Sequence, residues 1–84
     1  MFNSIQDSIY PLTVVADRYM GTYSGGKFTA WRLHPSEIPS EIYWDDISCC
    51  DFWRENKLIV GKGNTVEEAI GNLYIALTRS NNNV

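Results

Sequence analysis

Lys57-Leu-Ile-Val-Gly-Lys62 followed, after Gly63-Asn64, by Thr65-Val-Glu-Glu-Ala-Ile-Gly-Asn-Leu-Tyr-Ile-Ala-Leu-Thr-Arg79 is the stretch that decides the fold. Its first part is apolar and β-branched and is stopped by Gly61, Gly63 and Asn64, the pattern of a strand. Its second part opens with a capping box: the Thr65 hydroxyl accepts from the amide of Glu68, and the Glu68 carboxylate reaches back to the amide of Thr65. Glu67 and Glu68 also complement the positive end of the helix dipole. Val66, Ile70, Leu73 and Leu77 then recur at spacings of four, three and four, so the helix lays one stripe on a sheet. It is predicted to run from about 66 to 79, with 80–84 as a frayed tail.

Upstream, Leu12-Thr-Val-Val-Ala16 follows Pro11 and reads as a first strand. Phe28-Thr-Ala-Trp-Arg-Leu33 alternates and reads as a second. Gly25-Gly26 between them is a hairpin signal, because twist-compatible two-residue turns need positive φ, and the first arm is interrupted near Gly21. From His34 to Asp46, Pro35 and Pro39 forbid a long helix, leaving a connection with short turns anchored by Ile38, Ile42, Tyr43 and Trp44. Asp46 to Asn56 reads as a short helix, with Asp46 or Ser48 as N-cap and Ile47, Cys50 and Trp53 or Arg54 at helical spacing. Residues 1–10 form a leader packing through Phe2, Ile5 and Ile9. The sum is one α+β domain over residues 1–84, with a small antiparallel sheet of three or more strands and a C-terminal helix packed on one face.

At 44% hydrophobic and 13% aromatic residues, the chain has the apolar surface that folding needs. A net charge of −3 disfavours direct nucleic-acid binding, which rests on clustered cations, and favours basic partners. Cys49 and Cys50 are adjacent and too constrained to bridge each other, so free thiols and a cytoplasmic setting are expected. The N-terminal stretch is too polar for a signal peptide, and no apolar run is long enough to span a bilayer.

The residues with chemical promise cluster in Gly21-Thr-Tyr-Ser-Gly-Gly-Lys27, which matches the phosphate-loop pattern G-x-x-x-x-G-K up to its lysine. Phe28 stands where magnesium needs Ser or Thr, and a strand follows where the motif needs a helix. A nucleotide hydrolase is therefore not expected, and Gly-Gly as a plain turn is the simpler reading. A phosphate-binding reading without catalysis remains: Arg18, Ser24, Gly25, Gly26 and Lys27 hold an anion while Tyr19, Tyr23 or Trp31 stacks on a base. The opposing reading makes Tyr23 and Trp31 core residues. His34 is the sole histidine and the cysteines lack metal-ligand spacing, so no cofactor and no metal are expected. Asp45, Asp46 and Asp51 fit helix capping and solvation as well as a carboxylate site.

Val15-Ala-Asp-Arg-Tyr-Met-Gly-Thr-Tyr-Ser-Gly-Gly-Lys-Phe-Thr-Ala-Trp31, with Glu-Ile-Pro, Trp-Asp-Asp and Cys-Asp-Phe-Trp after it, resembles small proteins of phages and mobile elements. That resemblance implies a counter-defence role, either a sponge for nucleotide-type immune signals or an inhibitor of a defence effector. Val60 to Leu73 is similar to the strand-to-helix passage of HicB-type antitoxins, without an appended DNA-binding helix. Three expectations follow, none enzymatic, of which the HicB-like one is an antitoxin that binds a small basic toxin. One is a sponge whose site, too large for one small domain to enclose, is shared across a homo-oligomer. Another is an anti-CRISPR-like inhibitor that sets acidic residues and Tyr43, Trp44, Phe52 and Trp53 against a basic groove of a bacterial defence protein.

Overall fold

Three short strands, β1 (Thr13–Ala16), β2 (Phe28–Trp31) and β3 (Val60–Gly63), pair antiparallel in the order β1-β2-β3 in the computed structural model, which describes residues 10–82. Two 3₁₀ turns, Pro35–Glu37 and Ser40–Tyr43, lead into helix α1 (Asp46–Glu55), and β3 is followed by helix α2 (Val66–Asn82). The α+β class, the antiparallel sheet and the C-terminal helix on it are as the sequence implies. The leader contacts expected from Phe2, Ile5 and Ile9 lie outside the described residues.

Register fixes two unlike faces. Val14, Ala30 and Gly61 lie in one cross-strand row, as do Ala16, Phe28 and Gly63; the alternate rows are Thr13, Trp31, Val60 and Val15, Thr29, Lys62. Successive side chains point to opposite faces of a strand, so the first two rows meet α2 and the other two face away from it. On the α2 face Ala30, Ala69 and Leu73 are buried together, with Leu12, Val14, Phe28, Ile70 and Leu77 around them. The backbones nearly touch there: a Cβ on Gly61 would sit 2.1 Å from the Ala69 carbonyl oxygen, and one on Gly63 would sit 2.6 Å from the Ala69 nitrogen.

The opposite face is covered as well, so the domain has a further layer that the sequence did not disclose. Trp31, Ile42, Cys49 and Trp53 are buried there, flanked by Val15, Tyr23, Leu33, Ile38, Phe52 and Val60. α1 reaches the sheet through rings, with Trp31 to Trp53 at 5.5 Å and Trp31 to Phe52 at 6.3 Å between centroids.

Several boundaries shift for local reasons. β3 starts at Val60 instead of Lys57, because the Asn56 side chain accepts from the Leu58 amide at 3.1 Å and donates to its carbonyl at 3.0 Å, holding a turn. Asp45, not Asp46 or Ser48, occupies the N-cap of α1. At α2 the Thr65 hydroxyl accepts from the Glu68 amide at 3.0 Å, but Glu68 returns its carboxylate to the amide of Asn64, at 2.8 Å, one residue earlier than the capping box requires. α2 runs on to Asn82, past the end expected at 79, since each added residue of an established helix brings one more hydrogen bond.

Candidate functional site

The connection from Asp17 to Lys27 is a folded loop, not a two-residue turn. Its mouth is closed by the Asp17 amide donating to the Lys27 carbonyl at 2.8 Å. The Asp17 carboxylate accepts from the amides of Tyr19 at 3.1 Å and Gly21 at 2.7 Å. The Thr22 amide donates to the Tyr19 carbonyl and the Gly25 amide to the Gly21 carbonyl, each at 3.0 Å. Ser24 is buried; its hydroxyl donates to the Gly26 carbonyl at 3.0 Å and accepts from the Gly26 amide at 3.4 Å. A phosphate cradle needs its amides turned outward, and these are turned inward.

The two glycines serve different ends. Gly25 adopts φ +99, a region that favours glycine. Gly26 lies so close to β3 that a Cβ would fall 2.6 Å from the Gly63 nitrogen.

The residues singled out from the sequence separate into three groups. Arg18, Tyr19 and Tyr23 come together as a tie between this loop and the turn before α1. Arg18 donates through Nη1 to the Tyr43 carbonyl and lies over the Tyr19 ring at 5.3 Å, while the Tyr19 hydroxyl donates to the Trp44 carbonyl at 2.7 Å. Tyr19 and Tyr23 meet edge to face at 5.3 Å. Partial burial, and then the Asp46 carboxylate, hold the Tyr23 phenol above its ordinary pKa.

Ser24, Gly26 and Trp31 form the second group, and it is interior. Trp31 is fully buried and its Nε1 donates to the Thr29 hydroxyl at 2.8 Å. The expected stacking role for Trp31 is therefore corrected: no face of the ring is open to a base. Gly25 and Lys27 alone make up the third group, exposed to solvent, with Lys27 at the loop's mouth.

A larger concavity lies on the other side of α1, a groove of about 590 Å³ between the Ser40–Tyr43 turn, α1 and the Asn56–Ile59 turn. Trp44, Phe52 and Leu58 give it apolar walls, and its rim is acidic on balance, with Glu41, Asp51 and Glu55 against the single cation Lys57. Trp44 and Leu58 are each 50% exposed. The single salt bridge among the described residues is Arg54 to Asp51 at 2.6 Å, so Glu41 and Glu55 are in no ion pair. The charge is biased in sequence too: from His34 to Leu58 the acids Glu37, Glu41, Asp45, Asp46, Asp51 and Glu55 stand against Arg54 and Lys57.

Sequence reasoning named Tyr43, Trp44, Phe52 and Trp53 as a contact surface. Tyr43 and Trp44 are exposed and Phe52 is half-buried, but Trp53 points into the core and is corrected. Leu58 was hidden in an expected strand. Its signal was Asn56, whose side chain forms the turn that exposes it.

Among the described residues no group of three His, Cys, Asp or Glu side chains is placed to hold a metal ion, and no helix is long and apolar enough to cross a membrane. No protein-family model matches the chain, and no curated protein or solved structure matches it either.

Proposed function

We propose that this is a non-catalytic binding protein of the phage counter-defence kind, acting as an inhibitor that seats its acidic, aromatic groove on a basic surface of a bacterial defence protein. The observation that carries the reading is the groove itself: exposed Trp44 and Leu58 beside Glu41 and Glu55, which have no ion-pair partner among the described residues. Exposed aromatic and apolar anchors supply affinity, and a rim of one charge steers a partner of the other. The test is co-purification of a nucleic-acid-guided defence effector with the tagged chain. Retention at low salt, loss at high salt and loss in Glu55→Lys support the reading, since exposed charges are screened by salt. Failure to retain the effector, or retention indifferent to salt and to Glu55→Lys, overturns it.

A second reading, sequestration of a nucleotide-type immune signal, is supported by the exposed cations Lys27 and Lys62 near the exposed Gly25, whose Cβ position lies 3.5 Å from the Lys62 side chain. With so many loop amides paired internally, the anion would have to be held by these side chains, completed by a second copy of the chain. Calorimetry with cyclic dinucleotides, cyclic trinucleotides and cyclic ADP-ribose isomers decides it; no heat with any of them removes it.

A further inference from the structure

The acidic groove has a neighbour of opposite character. A second, more apolar depression of about 300 Å³ is lined by Trp31, Arg32, Leu33, Ile59 and Leu77, together with Lys57 and Leu58. Lys57 and Leu58 also line the acidic groove, so the two open on either side of one ridge, the Asn56–Ile59 turn. One flank of that ridge carries Glu41 and Glu55, the other carries the exposed Arg32, and the exposed Lys57 stands on the ridge between them. The ridge and its borders expose Trp44 and Leu58 at 50% each and Ile59 at 37%.

An acidic flank and a basic flank on either side of the apolar pair Leu58 and Ile59 make a surface whose charges complement those of a second copy. Rotating a second copy by half a turn about an axis that runs along the ridge brings its basic flank onto the acidic flank of the first, and the reverse at the same time. That reciprocity is the condition for an isologous interface. The apolar ridge supplies the dry centre and the charges the rim, which is the usual anatomy of such contacts.

We propose that the chain associates with a second copy of itself across this ridge, with Leu58 at the two-fold axis and Arg32 facing Glu55 of the partner subunit. The dimer covers the acidic groove, so a basic target must displace the second copy to bind. The proposal stands apart from the inhibitor reading, because it concerns the chain alone and is tested with no target present.

The experiment is sedimentation of the full chain from micromolar to millimolar concentration, at low and high salt. The expected result is a monomer–dimer equilibrium that weakens as salt rises. Arg32→Glu weakens it at least about ten-fold by placing like charges opposite each other, and Leu58→Glu abolishes it. Both residues are exposed, and an unchanged circular-dichroism spectrum verifies that each variant is folded. Combining Arg32→Glu with Glu55→Arg restores the dimer. Monomer at every concentration overturns the proposal, as does a dimer indifferent to Leu58→Glu, or a double variant no tighter than Arg32→Glu alone.

Discussion

The two faces of the sheet are held by opposite means. On the α2 face, glycine and alanine let backbone approach backbone, and Gly61 and Gly63 sit where no side chain fits. On the α1 face, tryptophan and phenylalanine rings act as spacers, and the helix reaches the strands through Trp53 and Phe52. The first interface is defined by exclusion and has almost no freedom of volume. The second is defined by filling, and ring packing admits exchanges of similar shape. The face that was filled rather than excluded is also the one that carries the candidate groove.

The contrast breaks most severely at Gly61. Gly61→Ala places a methyl on the backbone of α2 and is expected to cost at least about 3 kcal/mol, read as a fall in the urea midpoint or as failure to fold. A loss under about 1 kcal/mol would mean that α2 moves off the sheet freely, and the claimed difference between faces would disappear.

Within the aromatic face the tryptophans differ. Trp31→Phe leaves the buried Thr29 hydroxyl without its donor and is expected to cost about 2 kcal/mol or more. Trp53→Phe removes an indole N–H that has no close hydrogen-bond partner among the described residues, so its cost is expected near about 1 kcal/mol, from lost volume and a weaker ring face for Lys62. Equal midpoint shifts for the two would refute that distinction.

Gly71 provides the control for glycine itself. It lies within α2, and among the described residues nothing beyond its chain neighbours and the adjacent helix backbone comes within 4 Å of a Cβ placed there, so Gly71→Ala is expected to stabilise by about 0.5–1 kcal/mol. Stabilisation at Gly71 beside collapse at Gly61 separates helix propensity from packing.

The smallest effect is a pH dependence confined to the aromatic face. Burial raises the pKa of the Cys49 thiol, and partial burial does the same for the Tyr23 phenol. The folded chain thus holds these protons more tightly than the unfolded chain. The associated stability is intact below the ordinary thiol pKa of about 8.5 and declines as pH rises beyond it. Urea midpoints measured through that range should fall, and Cys49→Ala should make the fall shallower.

The α2 side was legible because its information is local. A cap at Thr65 and a stripe at Val66, Ile70, Leu73 and Leu77 name a helix and its inner face without reference to anything distant. On the α1 side the same reasoning aligned Cys50 with Ile47, whereas Cys49 is the buried thiol and Ile47 is 70% exposed. Two adjacent cysteines are chemically alike, and the choice between them rests on Ile42, whose carbonyl receives the Cys49 thiol at 3.7 Å. The twin glycines posed the same difficulty. A need for positive φ at Gly25 is a local property, but the need for a bare Cα at Gly26 arises from Gly63, far along the chain. Residues whose role is set by a distant neighbour carry no mark of it in their own surroundings.

The hydroxyl of Thr65 has a kinetic meaning beyond its cap. β3 and α2 are consecutive in the chain, so joining them closes only a short loop, whereas α1 meets the sheet through Trp31, much earlier in the sequence. Short closures cost the least chain entropy and are favoured early. This makes the strand–helix pair at the C-terminal end the expected nucleus, onto which the aromatic half condenses. Stopped-flow measurements on Thr65→Ala should then find refolding slowed while unfolding from the native state hardly quickens.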